Sequence, residues 1–184
     1  MRFNSEQHLV TWQDKKRFPA IHDDIFHAIL TYGKGKSFLD LCCSTGLLAE
    51  RIKQHLVYDV IGIDADEAAI NLADLSGIKV PLICLKIVPE TAKELAKIIE
   101  KFKIDTVVAR RCFPELFGND IEFGEVFAEI LSQVGVKEIF IEGRIATKTA
   151  TNALATLEDE CQLVSKYYKV IKIYKNVAYL RKID

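Results

Sequence analysis

The chain has 184 residues, of which 49% are hydrophobic and 28% are charged, with a formal net charge of −1 at pH 7. These values are typical of one soluble globular domain with a full core. The near-zero net charge provides no global field to attract nucleic acid, and the apolar runs are too short and too interrupted by charge to span a bilayer.

Cysteine usage indicates a reducing environment. The five cysteines are odd in number and include no Cys-x-x-Cys pair, which argues against a disulfide framework and against a zinc site. The four histidines lack metal-ligand spacing, so we assign them neither a metal nor a catalytic role. Residues 1–16 lack the apolar core of a signal peptide. We therefore expect a cytoplasmic protein without a metal.

The first 36 residues are polar and mixed, and we predict a helical or lid segment there. Residues 12–19 are interpreted as a short helix or a lid. A second predicted helix places four apolar residues on one face and ends at residues 33–36; the four residues are Ile21, Ile25, Phe26 and Ile29.

From residue 37 onward, strand and helix signals alternate. The predicted strands are 38–41, 60–64, 80–87, 104–109 and 136–142. The predicted helices are 47–54, 66–75, 89–102, a segment around 126–131 and 149–164, with a loop at Pro114, Gly118 and Asn119. The last two strands, 167–174 and 177–183, are predicted to pair around a tight turn.

Five successive strand–helix units imply a parallel sheet with helices on both faces. The predicted fold is therefore an α/β three-layer sandwich with a seven-stranded, mostly parallel sheet and a C-terminal antiparallel hairpin. Ligands of such sheets bind beyond the carboxyl ends of the strands. The end of the first strand is thus the expected site.

A turn of small residues follows that first strand. Residues 42–46 are all small, as a tight strand-to-helix turn requires if a ligand is to lie against its backbone. Ser44 or Thr45 can cap the next helix, which leaves amide donors free to meet a polar ligand. The turn is a candidate cradle for a small polar molecule.

The stretch Asp40-Leu41-Cys42-Cys43-Ser44-Thr45-Gly46 resembles the cofactor signature of class I, Rossmann-like S-adenosylmethionine-dependent methyltransferases. In that signature an acidic residue precedes small residues at alternate positions, here Cys42, Ser44 and Gly46. The likeness in element order covers residues 37–184, which we interpret as an S-adenosylmethionine-binding domain after the segment 1–36. The resemblance implies that Asp40 helps to place the cofactor's methionine amino group.

A second acidic residue, Asp64, ends the second predicted strand and can accept both hydrogens of a ribose diol. The spacing from Asp40 also suits a dinucleotide fold, but that fold requires G-x-G-x-x-G and this turn has one glycine. Where the family often has an acidic residue for the adenine amino group, this chain has Lys86-Ile87. A lysine has no acceptor, so the backbone of Ile87 is expected to meet the adenine edge.

The resemblance and Asp64 together imply a set of cofactor-binding residues around these strand ends: Asp40, Cys42, Cys43, Ser44, Gly46, Asp64, Ala65, Ile87, Ala109 and Arg110.

The fourth predicted strand leads into Arg110-Arg111-Cys112, where the family places the substrate. No Asn/Asp-Pro-Pro-Tyr/Phe motif follows, which argues against the usual adenine or glutamine amino methylation. Strand alternation predicts that one arginine points into the cleft and the other away. They are interpreted either as a clamp for an anion of the substrate or cofactor, or as partners of Glu115 or Glu142.

The sequence names no catalytic residue; the candidates are Arg111, Glu115 and Glu142. Cys112 is interpreted either as a nucleophile of lowered pKa or as a buried apolar residue. The basic, tyrosine-containing stretch 166–184 is typical of a nucleic-acid contact or of lysines that protect a sheet edge.

We expect a methyltransferase that uses S-adenosylmethionine and acts on an acceptor that is a small molecule, RNA or protein. Its acceptor would be recognised by the N-terminal segment around Trp12 and Arg17, by short loops, or by a second subunit of a homo-oligomer. Two alternatives remain: a non-catalytic S-adenosylmethionine-binding module and a nucleotide-dependent oxidoreductase.

Overall fold

In the computed structural model, which describes residues 18–56, 58–143 and 154–184, seven strands form one central sheet. The strands are β1 (Ser37–Leu41), β2 (Asp59–Asp64), β3 (Leu82–Cys84), β4 (Thr106–Arg110), β5 (Glu138–Glu142), β6 (Tyr168–Tyr174) and β7 (Val177–Lys182). The helices are α1 (Phe18–Ile21), α2 (Asp23–Tyr32), α3 (Leu47–Leu56), α4 (Glu67–Leu75), α5 (Ala92–Phe102), α6 (Phe113–Phe117), α7 (Ile121–Gln133) and α8 (Leu157–Val164), and a 3-10 turn spans Pro89–Thr91.

The strand order is β3-β2-β1-β4-β5-β7-β6. The first five strands pair in parallel, and β7 runs antiparallel to both β5 and β6. The chain winds outward from β1 in one direction through β2 and β3, then returns to place β4 and β5 on the other side. This confirms the predicted fold class, including the C-terminal hairpin.

Two apolar clusters lie on opposite faces of the sheet. Leu39 and Leu41 of β1 face a cluster built with α5, α6, α7 and α8, whereas Phe38 faces a cluster built with α2 and α3. Because both faces are covered, β1 is buried along its whole length. The three-layer arrangement leaves the two edges of the sheet, where the strands begin and end, as the places for polar chemistry.

Helix α2 crosses one face of the sheet from its carboxyl edge to its amino edge. At the amino edge, the backbone amides of residues 34–37 donate to the carboxylates of Glu138 and Asp105 at 2.9 to 3.2 Å. These carboxylates satisfy donors that no strand partner reaches, and they fix the chain where it enters β1.

The other end of α2 is held by two ion pairs. Asp23 pairs with Arg51 of α3 at 2.8 Å, and Asp24 pairs with Lys175 in the turn between β6 and β7 at 2.6 Å. The apolar face between the two ends is buried, with Ile25 fully inaccessible to solvent. Part of the predicted N-terminal segment is therefore packed into the core.

The third strand is shorter than the predicted span 80–87, since only Leu82–Cys84 pairs with β2. The Thr91 hydroxyl donates to the Lys86 carbonyl and accepts from the Val88 amide. The ladder stops at Cys84 because its partner Asp64 is the last residue of β2, and the Thr91 bonds hold the following residues in the turn.

The loop predicted at Pro114 is also wrong, because α6 forms there. Proline is favourable in the first turn of a helix, where its missing amide hydrogen has no partner to lose. Phe113 and Phe117 pack edge to face with ring centroids 5.2 Å apart, and both are buried. Aromatic packing therefore stabilises a helix too short to be stable alone.

Two predicted helices begin at different residues in the structure from those predicted. Of the helix predicted over 149–164, residues 149–153 lie outside the described residues, and α8 begins only at Leu157. Thr156 caps it, accepting from the Asp159 amide at 3.1 Å. Residues 12–17 also lie outside the described residues, and Ile21, predicted on a buried face, is 38% exposed.

Replacing Gly35 with alanine tests the anchor at the amino edge. An added Cβ would lie less than 3.0 Å from the Thr106 hydroxyl and the Asp105 carboxylate. We expect Gly35→Ala to lower the free energy of unfolding by about 3 kcal/mol through overpacking and disturbed hydrogen bonds, measured by urea denaturation. Gly77→Ala is the matched control, since its Cβ would meet nothing within 4 Å and only its positive φ is penalised. Equal losses in the two variants would contradict this account.

Candidate functional site

The turn after β1 adopts left-handed backbone angles at alternate residues. The φ angles are 55° at Cys42, 52° at Ser44 and 72° at Gly46. Only glycine adopts this region without strain, so Cys42 and Ser44 each cost on the order of 1–2 kcal/mol. The alternation of small residues seen in the sequence therefore has a backbone cause, because every second residue must tolerate a positive φ.

Strand β2 holds this turn in place. The Cys43 amide donates to the Ile63 carbonyl at 3.0 Å, and the Ser44 amide donates to the Asp64 carboxylate at 2.7 Å. Gly62 leaves room for the Cys43 thiol, since an added Cβ would lie 2.6 Å from its sulfur. The strained turn is thus supported by two strand ends, and it begins α3 at their carboxyl edge.

Asp64 lies at the carboxyl end of β2, as predicted. Its Oδ2 accepts from Ser44, its Oδ1 accepts from the Asp66 amide at 2.9 Å, and the residue is half-buried. Each carboxylate oxygen has a further lone pair, so the group can still accept hydrogens from a ligand. Asp66 caps α4 by accepting from its first amides, and Ala65 between the two aspartates is exposed.

Asp40 is almost completely buried, at 2% exposure, and its Oδ2 accepts from the Ala49 amide of α3 at 3.2 Å. Burial raises the pKa of Asp40 to about 7, and the charge of Asp64 adds to this, against the Ala49 hydrogen bond and Arg110. In this structure Asp40 supports the first turn of α3 beneath the small-residue turn. Its role toward a methionine amino group remains a prediction.

Both arginines at the end of β4 contact one carboxylate on the neighbouring strand. Arg111 Nε lies 2.6 Å from Glu142 Oε1, and Arg110 Nε lies 3.3 Å from Glu142 Oε2. The prediction that strand alternation would separate the two side chains is wrong. Arg111 has a φ of 56°, which breaks the alternation, and its amide donates to the Glu142 carbonyl at 2.7 Å.

Cys112 is a buried residue that packs beneath the turn. Its thiol lies 3.7 Å from the Leu41 carbonyl, which it meets as a donor. A hydrogen bond with Cys42 and burial raise the pKa of the Cys112 thiol well above its usual value. A reactive thiolate needs the opposite shift, so the nucleophile interpretation is wrong and the buried-residue interpretation stands.

Sequence reasoning missed His22, which lies at the N-terminal end of α2 beside this edge. Burial, together with the nearby charges of Arg110 and Arg51, lowers the pKa of His22 to about 3. The imidazole is therefore neutral at physiological pH. Its position depends on tertiary contacts such as the ion pair of Asp23 with Arg51, which no local sequence pattern signals.

The remaining predicted residues lie at varying distance from solvent. Ala109 is fully buried in β4 and belongs to the apolar cluster built with α5, α6, α7 and α8. Ile87 lies beyond the shortened β3 and is also buried, whereas Glu115 is exposed on α6. The structure therefore gathers the turn, Asp64 and Arg110 at one edge, and it does not bring the Ile87 or Ala109 side chains to that surface.

The basic C-terminal stretch forms β7 and β6, and β6 is the outermost strand on that side of the sheet. Tyr168 and Tyr179 are buried, and their hydroxyls donate to the Val136 carbonyl and to Glu138. They cannot stack on bases. Strand β6 carries lysines and a bulge between Val170 and Lys172, both of which discourage pairing with another strand.

Residues 18–56, 58–143 and 154–184 offer neither a metal site of clustered ligands nor a helix that could span a membrane. No group of three His, Cys, Asp or Glu residues is placed there to hold a metal ion. In the same part of the chain, every helix is too short or too polar to cross a membrane. All five cysteines are free thiols.

No protein-family model matches this sequence, and no curated protein matches it. Solved structures do share its fold. Monomeric WbdD, a bifunctional kinase-methyltransferase, superposes with a TM-score of 0.62 at 16% identity, over 99% of this chain and 42% of that chain. The present chain thus spans less than half of WbdD.

Two other structures match more of their own length. The plantazolicin methyltransferase BpumL in complex with SAH superposes with a TM-score of 0.59 at 19% identity, over 97% of this chain and 91% of that chain. A structure concerning the conversion of a disulfide bond into a thioacetal group during echinomycin biosynthesis gives a TM-score of 0.62 at 15% identity, over 86% and 80%. At these identities the shared property is the fold.

The raised pKa of Asp40 predicts a pH dependence of stability. Between its ordinary value of 3.8 and about 7, the native state keeps a proton that the unfolded chain releases. The free energy of unfolding therefore falls as pH rises through this window, by up to roughly 1.4 kcal/mol per pH unit.

Urea denaturation of the wild type and Asp40→Asn across this window checks the sign. We expect Asp40→Asn to remove this part of the slope, and Asp59→Asn, at an exposed position on the same sheet, to retain it. Parallel pH profiles for the wild type and Asp40→Asn would refute the assignment.

Proposed function

We propose that this chain, which has the fold of class I S-adenosylmethionine-dependent methyltransferases, transfers a methyl group from S-adenosylmethionine to an acceptor. The observation that carries this proposal is the left-handed turn at residues 42–46, joined to Asp64 through the Ser44 amide. A strained turn supported by two strand ends is the kind of feature found at ligand sites.

The residues present fit the proposed cofactor. The turn lies at the carboxyl edge with Cys42 and Ser44 half-buried, Asp64 has acceptor capacity left for a ribose diol, and Asp40 supports the turn from below. These residues, with Ala65 beside them, would hold the nucleoside and the amino-acid end. Ile87 lies past the end of β3, in the loop that the Thr91 hydroxyl holds. Its backbone would contact the adenine edge from that loop.

S-adenosylmethionine supplies a methyl group that its sulfonium already activates. The protein therefore needs mainly to align the acceptor and to exclude water. Such positioning lowers the activation barrier by about 7–11 kcal/mol. The cofactor side of the edge is built on β1 and β2. The ends of β4 and β5, with Arg110, Arg111 and Glu142, are left for the acceptor.

The arrangement narrows the candidates for a general base. Both arginines contact Glu142, which is buried, so its carboxylate positions the arginines rather than receiving a proton. Glu115 is exposed on α6 and remains a candidate. The acceptor would be a small molecule, RNA or protein, and the free cysteines suit a reducing cytoplasm.

A non-catalytic module that binds the same cofactor is the second candidate. It is favoured by the paired state of Glu142 and by the exposed Lys86, which stands where the family often has an acidic residue. A nucleotide-dependent oxidoreductase is less consistent with a turn that contains one glycine. Titration calorimetry with S-adenosylmethionine, S-adenosylhomocysteine and NAD separates the oxidoreductase from the other two.

Replacing Asp64 with alanine tests the cofactor site. We expect Asp64→Ala to weaken S-adenosylhomocysteine binding by about 1.5–3 kcal/mol, the range for hydrogen bonds to a charged group, as measured by calorimetry. Asp66→Asn is the matched control, because asparagine also caps a helix well and lies outside the proposed contact. An unchanged affinity for a folded Asp64→Ala protein would mean that Asp64 does not hold the ligand.

Transfer itself is tested with labelled S-adenosylmethionine and fractionated cell extracts. Label in a small-molecule, RNA or protein fraction would identify the acceptor class. Binding without transfer to any fraction would favour the non-catalytic module, and absence of heat with either adenosyl ligand at millimolar concentration would refute both.

A further inference from the structure

We infer that Arg110 binds an anionic group, a carboxylate or a phosphate, on the methyl acceptor. The identity of the ligand as the acceptor rests on the proposed function. The anionic character rests on the geometry at the ends of β4 and β5.

Arg110 has hydrogen-bonding capacity that the protein itself does not use. Its side chain is 22% exposed, and its Nε is buried without a hydrogen-bond partner among the described residues. The contact of 3.3 Å with Glu142 Oε2 gives attraction, but the N–H is not directed at that oxygen, which also lacks a hydrogen bond in the described part of the chain. Within the described residues, the Nε is therefore an unsatisfied buried donor, while the exposed part of the guanidinium remains open to a ligand.

Arg111 is the residue that takes the strong pairing with Glu142. Its Nε lies 2.6 Å from Oε1, and its own amide donates to the Glu142 carbonyl at 2.7 Å. Its left-handed backbone turns the side chain back onto β5. Two guanidinium groups therefore contact one carboxylate, and the contact of Arg110 is the longer and weaker one.

The other groups around Arg110 do not replace an acceptor. Asp40 lies near Arg110, but burial favours its protonated form below about pH 7, and its Oδ2 accepts from the Ala49 amide. His22 lies near Arg110 at the end of α2 and supplies no negative charge to balance the guanidinium. Arginine forms paired, charge-assisted hydrogen bonds with planar carboxylates and phosphates, so an anion is the ligand chemistry that satisfies this group.

The position of Arg110 favours the second reactant as the carrier of the anion. In the strand order, β1 lies between β2, which ends in Asp64, and β4, which ends in Arg110. Two strand spacings separate these ends by about 10 Å. The turn and Asp64 serve one ligand, and Arg110 lies on the opposite side of β1, over the β4 and β5 ends.

The test uses inorganic phosphate and acetate as probes, with binding measured by calorimetry and by the shift in thermal unfolding. We expect Arg110→Met to weaken phosphate binding about tenfold or more, as loss of a charge-assisted pair implies. Lys166→Met removes one positive charge at an exposed site and should bind phosphate as the wild type does. Arg110→Lys, which keeps the charge and loses the fork, should lie between them. Equal phosphate responses in all four proteins, or none in the wild type, would overturn the inference.

Repeating the phosphate titration with saturating S-adenosylhomocysteine shows whether Arg110 binds an anionic group of the acceptor or the carboxylate of the cofactor. Phosphate binding that persists beside S-adenosylhomocysteine supports an acceptor site. Loss of phosphate binding would overturn it, because Arg110 would then bind the carboxylate of the cofactor. Phosphate binding by a protein that takes no S-adenosylhomocysteine would support the anion site and refute the proposed function, so the two failures are distinguishable.

Discussion

The turn between β1 and α3 is the constraint on which the rest of the site depends. Its left-handed angles at Cys42 and Ser44 are unfavourable for side chains, and they persist because neighbouring elements hold them. Asp64 accepts from the Ser44 amide, and Asp40 accepts from α3 just beyond the turn. The two aspartates thus stabilise the backbone that a ligand would meet. Of the two, only Asp64 is accessible to solvent.

The ends of β4 and β5 are held mainly by charge, whereas the turn after β1 is held by backbone hydrogen bonds. A buried Glu142 draws two arginines toward β5, and the backbone of Arg111 bends to let it bind closely. The result is an uneven sharing of one carboxylate. Residues that serve both structure and ligand binding are expected to be left partly unsatisfied in the protein without its ligand, at a cost in stability.

The sequence predicts the parts of this site that local patterns determine. The small residues at 42–46, the strand that ends at Asp64 and the order of the strands all follow from apolar runs and turn residues. Two features involve contacts between residues distant in the sequence: the paired arginines, which meet Glu142 on β5, and the N-terminal end of α2, where Asp23 pairs with Arg51 of α3. Such contacts leave no periodic signal, and α6 was missed because proline and glycine also mark loops.

Helix α2 sets a fixed distance between the two edges of the sheet. It is anchored at one end by the amides of residues 34–37 and at the other by Asp23 and Asp24. Each residue in a helix adds about 1.5 Å and about 100° of rotation. The number of residues in α2 therefore determines both the depth and the direction at which His22 lies beside Arg110. A change in helix length by one residue would turn His22 away from Arg110 without altering either residue.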